Sequence, residues 1–151
     1  MSPSPDGIAT TVSKTFSRTT QVSTTVNASP ATVWTLLTTA SDYPRWNSTI
    51  VSVDGDIKPG STIQLVSTLD PNRTFKLKVK EFEPTSRLAW GDAMGTRVYT
   101  LTETNGGGTL FEMNERIGGP IFPLFASKIP SFDASFEQFA ADLKAAAENT
   151  D

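Results

Sequence analysis

The chain contains no cysteine and no histidine. The first absence excludes disulfides, thiolate nucleophiles and thiolate metal sites. The second removes the side chain that most often serves as general base or metal ligand near neutral pH. Any chemistry must therefore fall to carboxylates, Tyr, Lys, Arg or a ligand's own groups, and no metal ion or other cofactor is expected. Long apolar runs are missing as well. Nothing approaches the roughly 18 apolar residues of a transmembrane helix, so no integral membrane association is expected. Nor is there an excess of positive charge: 13 Lys and Arg stand against 16 Asp and Glu, for a net charge of −3. Binding to a phosphate backbone depends on clustered cations, so nucleic acid is not an expected partner. One dense basic run exists, Lys76, Lys78 and Lys80, but it alternates with Phe75, Leu77 and Val79. That period of two places the lysines on the solvated face of a strand.

What is present describes an ordinary globular chain of 151 residues, 37% hydrophobic and 19% charged. A domain of this size buries roughly 68–70% of its unfolded surface, enough for a core with a cavity in it. The opening MSPSPDGIATTV has neither a basic region nor an apolar run and does not read as a secretory signal. Residues 1–14 read as a flexible tail and residues 15–151 as a single domain. The acidic balance, the lack of such a signal and the lack of cysteine point to the cytoplasm. Asn-x-Ser/Thr triplets occur at Asn27, Asn47 and Asn72. In so Thr- and Ser-rich a sequence they read as chance products without function.

From Phe16 the chain alternates as a half-buried strand, with Phe16, Val22 and Val26 in one parity class. Ser29 then offers an N-cap, Pro30 suits the first helical position, and Val33, Leu36, Leu37 and Ala40 have helical spacing. Ser41 provides a second cap and Pro44 prevents continuation of the first helix, so residues 42–47 form a second short turn of helix. Six alternating segments follow, separated by the hairpin-sized clusters KPG, LDPN, EPTS, DAMG and NGGG. They form an antiparallel meander. A parity shift between Val79 and Phe82 predicts a bulge near Lys80 and Glu81. The last segment carries Phe125, Ile129, Phe132, Phe136, Phe139, Leu143 and Ala147 at helical spacing, and Pro130 must kink or break that helix near Lys128. The order β-α-α-β6-α makes an α+β fold: a curved seven-stranded antiparallel sheet burying one face against a long C-terminal helix.

Strand parity singles out a polar cluster. For both apolar faces to point inward across the NGGG hairpin, paired positions must sum to an even number, since a one-residue slip turns a strand inside out. The compact register pairs Leu101 with Phe111, Tyr99 with Met113 and Arg97 with Glu115; a two-residue shift pairs Tyr99 with Glu115 instead. The DAMG turn puts Trp90 opposite Arg97 and Leu88 opposite Tyr99. Trp90, Arg97, Tyr99 and Glu115 therefore converge on the inner face, either as a buried ion pair beside an indole or as a pair at the sheet's wet rim.

The stretches VNASPATVWTLLTTASDYPRWN, RLAW, GGGTLFEMNERIGG and SFEQFAADLKAAAE together resemble the SRPBCC superfamily over nearly all of residues 15–148. The resemblance implies the helix-grip fold shared by START lipid-transfer domains, birch-pollen-type allergens and aromatic polyketide cyclases. It also implies a cavity between sheet and C-terminal helix, closed on one side by the two short helices. Trp46 then either walls that cavity, with its N–H near a polar partner, or is simply core.

Three functions follow from that resemblance. The first is binding of a small hydrophobic or amphipathic ligand, with Trp46, Trp90, Arg97, Tyr99, Leu101, Phe111, Met113, Glu115, Phe122, Phe125 and Phe132 as the lining. The bland counterpart of this reading is that the aromatics fill a core. The second is a cofactor-independent polyketide cyclase or dehydratase, in which Arg97 and Tyr99 polarise carbonyls and Glu115 accepts a proton. The third is a co-chaperone-like protein-binding module, which would need an exposed apolar patch. Residues 118–130, GGPIFPLFASKIP, read as a mobile entrance because glycines and prolines interrupt regular structure beside large apolar side chains.

Overall fold

A computed structural model describes residues 6–149. Eight antiparallel strands form one sheet in the order β1-β2-β8-β7-β6-β5-β4-β3. They are β1 (Thr10–Lys14), β2 (Ser17–Val26), β3 (Ile50–Asp54), β4 (Thr62–Ser67), β5 (Phe75–Glu83), β6 (Arg87–Gly91), β7 (Gly95–Glu103) and β8 (Thr109–Gly118). Two short helices, α1 (Pro30–Thr38) and α2 (Tyr43–Trp46), separate β2 from β3, and α3 (Asp133–Glu148) ends the fold. From β3 to β8 the sheet is the meander that the turn clusters dictate.

Ser41, expected to cap the second short helix, lies instead inside a 3-10 turn, Ala40–Asp42, and neither that turn nor α2 has a side-chain cap; the other local signals act as the residues require. Ser29 caps α1, its hydroxyl oxygen accepting from the Thr32 amide at 3.2 Å, and Pro30 enters the first turn where its missing N–H costs nothing. The β6–β7 and β7–β8 hairpins have the compact register: Trp90 faces Arg97, Leu88 faces Tyr99, and Arg97 faces Glu115. Phe111 and Met113 are fully buried, while Glu112 and Asn114 lie on the opposite, partly exposed face. The register of β5 against β6 slips between Val79 and Glu81. This bulge carries Phe82 round to meet Trp34 of α1 edge-on at 5.2 Å.

Two further expectations are corrected, and the choice left open at Pro130 is decided. The sheet has eight strands because Thr10–Lys14 pairs with β2, within what the sequence suggests is a flexible tail. All five residues of β1 are exposed, so no apolar alternation announces it. It is recruited by the open edge of β2 and pinned from above. Ala9 N donates to the Glu137 carboxylate at 3.0 Å, Thr11 Oγ1 donates to Asp133, and Asp6 accepts from Thr24 Oγ1 and Thr25 N. Residues 1–5 of the expected tail lie outside the described residues. Phe16, assigned to the inward face, sits in the β1–β2 turn and is 56% exposed. Finally, Pro130 breaks the last helix outright. Two single 3-10 turns, Phe122–Leu124 and Ala126–Lys128, occupy the expected first turns, and α3 begins only at Asp133.

The core is the concave face of the sheet with α3 laid across it. Phe136, Phe139, Ala140, Leu143 and Ala147 are buried along one stripe of α3. Full burial of each large side chain is worth roughly 1.5–3 kcal/mol.

Candidate functional site

An aromatic stack occupies the centre of this interface. Phe139 of α3 stacks on Tyr99 at 5.8 Å and on Phe111 at 6.2 Å, and Trp90 meets Tyr99 edge-on at 5.2 Å. Trp46 is held between Tyr43, at 5.1 Å, and Phe139, at 5.7 Å. The Pro44 turn thus delivers the tryptophan to the core. Its indole Nε1 is buried with no hydrogen-bond partner among the described residues, contrary to the expected polar neighbour; ring packing holds it there instead. Next to it Asn47 is 1% exposed, its side-chain oxygen accepting from Thr49 and its amide donating to the Phe139 carbonyl at 3.4 Å.

Beside the stack lies a cavity of about 400 Å³, within the roughly 300–1,000 Å³ of small-molecule sites. Its sheet wall consists of Leu65, Phe75, Leu77, Trp90, Gly91 and Ile117. The facing wall is Phe125, Lys128, Ile129, Pro130 and Phe132. The cavity is therefore bounded by the segment before α3, and no residue of α3 itself borders it.

The expected lining divides accordingly. Trp90, Arg97, Glu115, Phe125 and Phe132 border the cavity, whereas Trp46, Tyr99, Leu101, Phe111, Met113 and Phe122 are buried in the core away from it. Parity correctly places all the strand residues on the inner face, but α3 fills the part of that face nearest Phe111. Sequence reasoning missed Leu65, Phe75 and Leu77, although their alternation in β4 and β5 marks them as inward. It also missed the turn residues Asp92 and Met94, for which a local pattern gives no signal.

Arg97 and Glu115 are the polar centre. Arg97 Nε donates to Glu115 Oε1 at 2.7 Å, and the side chains are only 17% and 20% exposed. The guanidinium carbon lies 5.0 Å from the Phe136 ring centre and 5.8 Å from that of Phe139, a cation–π arrangement on the floor of the cavity. Burial disfavours the arginine's charge, but Glu115 and Tyr99 more than offset this, and its pKa is raised above the ordinary value. The buried Tyr99 hydroxyl lies beside the Arg97 guanidinium. Burial pushes its pKa up, against the opposing pull of Arg97. Arg18 secures the facing wall, donating to the carbonyls of Ile129, at 3.3 Å, and Pro130, at 2.8 Å, while its guanidinium carbon lies 5.2 Å from the Phe132 ring centre. Among the described residues no group of carboxylates is arranged to hold a metal ion, and no helix is long and apolar enough to cross a membrane.

The family model for polyketide cyclase / dehydrase and lipid transport matches residues 17–148. No curated protein matches the chain. Solved structures share its fold at low identity. A conserved protein of unknown function from Enterococcus faecalis superposes with a TM-score of 0.68 at 16% identity, covering 95% of this chain and 82% of its own. A Mesorhizobium loti protein gives 0.68 at 22%, covering 89% and 99%. A START superfamily protein from Mycobacterium smegmatis gives 0.63 at 15%, covering 86% and 97%.

Proposed function

The chain belongs to the polyketide cyclase/dehydrase and lipid-transport family, of the SRPBCC and START-like group, and from that premise we propose that it binds one small apolar or amphipathic molecule in the cavity between β4–β8 and residues 125–132. The observation that carries this reading is the composition of the walls. Leu65, Phe75, Leu77, Trp90, Ile117 and Phe132 supply apolar surface, and one ion pair, Arg97 with Glu115, supplies the polar spot. Ligand sites generally combine an apolar lining with a few placed polar groups that fix orientation.

The cyclase-like reading has less support. Tyr99, expected to polarise a carbonyl, is 1% exposed and does not border the cavity. Glu115, expected to accept a proton, already accepts the Arg97 hydrogen bond.

Titration with the neutral fluorophore N-phenylnaphthylamine tests the proposal. Its fluorescence should rise with one-to-one stoichiometry, and Ile129→Trp, which fills the cavity from a half-buried position, should abolish the rise without unfolding the protein. An undiminished signal in that variant would place the probe elsewhere and defeat the reading.

A further inference from the structure

Arg97 spends its Nε on Glu115, and its guanidinium also interacts with the neighbouring Tyr99 hydroxyl. A guanidinium has five N–H groups in a rigid fork, so donors remain. Both side chains border the cavity, and one face of the guanidinium rests on Phe136 and Phe139. This polar spot therefore offers hydrogen-bond donors while carrying no net charge, because Glu115 cancels the arginine.

Resting on the ligand-binding reading above, we propose that Glu115 sets the specificity of the cavity: it admits molecules whose polar end is a neutral acceptor, such as a ketone, ester or amide carbonyl, and turns away carboxylates. A carbonyl oxygen accepts from the free arm of Arg97 and brings no charge. A carboxylate on the same arm places a second anion beside Glu115 in a site where water screens little, and like charges so juxtaposed lower affinity by roughly tenfold or more. The other charged groups on the walls do not reverse this balance. Asp70, Arg73 and Lys128 are exposed at the rim, where solvent screens them. Asp92 is half-buried and adds negative charge, its Oδ1 accepting from the amides of Met94, at 2.8 Å, and Gly95, at 3.1 Å.

The test is competition against N-phenylnaphthylamine by a long-chain methyl ketone, the carboxylate of matching length and the matching alkane at neutral pH. In the unaltered protein the ketone should bind tightest and the carboxylate roughly tenfold weaker or worse. Glu115→Gln keeps an oxygen for Arg97 Nε but removes the charge, and it should reverse the order of ketone and carboxylate. A carboxylate that binds the unaltered protein as well as the ketone overturns the proposal, as does a ratio that Glu115→Gln leaves unchanged. Should that variant fail to fold, as judged by circular dichroism, the ranking in the unaltered protein decides. If neither probe nor alkane binds, the cavity reading itself falls; if both bind but head groups are not distinguished, only the role of Glu115 is lost.

Discussion

Arg97 rests its guanidinium 5.0 Å from the centre of the Phe136 ring, so the charged group of the cavity leans on the first turn of the helix that fills the rest of the sheet. Binding site and core share this contact. Phe136→Leu keeps apolar volume but removes the ring face, and should lower stability by roughly 1–2 kcal/mol. A double-mutant cycle with Arg97→Met, read by urea unfolding, should give a coupling of about 0.5–1 kcal/mol. Strict additivity would mean that the ring does not support the charge.

The protein has two tyrosines, Tyr43 and Tyr99, 0% and 1% exposed. Burial is the largest cause raising the pKa of each phenol, with Arg97 opposing it in both. A phenol whose folded pKa exceeds its unfolded value contributes stability that is whole below about pH 10 and is lost as pH rises toward the folded value. Tyrosinate absorbance should therefore appear together with unfolding in an alkaline titration, as one cooperative step. A gradual rise near pH 10 in protein that keeps its near-ultraviolet dichroism would contradict the burial of both rings.

Strand β1 should contribute to stability despite its full exposure. Glu137→Ala removes the acceptor of the Ala9 amide, and Asp6→Ala removes that of Thr24 and Thr25. Each should cost roughly 1 kcal/mol by chemical denaturation. A midpoint unchanged in both variants would mean that the strand is not held in solution.

Gly91 borders the cavity at the end of β6, where a Cβ would lie 2.3 Å from the Gly95 carbonyl oxygen and 2.8 Å from the Thr96 Cα. Backbone atoms have no rotamer with which to yield. Gly91→Ala should destabilise the fold by about 2 kcal/mol or more and weaken probe binding, because the hairpin carrying Trp90 and Arg97 must spread. Unchanged melting and binding would show that the strands separate freely there.

Arg18 fastens the wall of residues 129–132 to β2. In Arg18→Ala, amide exchange across residues 125–132 should accelerate relative to β7 and β8, and dissociation of N-phenylnaphthylamine should quicken several-fold. Exchange in that segment as slow as in the central strands, with and without Arg18, would argue against an entrance at this wall.

The sequence by itself determines the meander, the bulge after Val79 and the meeting of Trp90, Arg97 and Glu115. These depend on short-range rules: hairpin loops are short enough to fix register, and a period of two leaves each side chain one face or the other. The break before α3 is equally local, since Pro130 cannot donate to a helix. The tertiary structure alone decides which inward residues become core and which become cavity wall. Tyr99, Leu101, Phe111 and Met113 share the inward face of Trp90 and Arg97, yet packing buries the first group, with Phe139 stacked on Tyr99 and Phe111, and leaves the second beside open space. The placement of a helix over a sheet is set by the summed packing of residues far apart in the chain, as in the contact from Asn47 to the Phe139 carbonyl, and no local pattern encodes it. The same holds for β1, which carries no apolar alternation and becomes a strand because the edge of β2 and the first turns of α3 supply its partners.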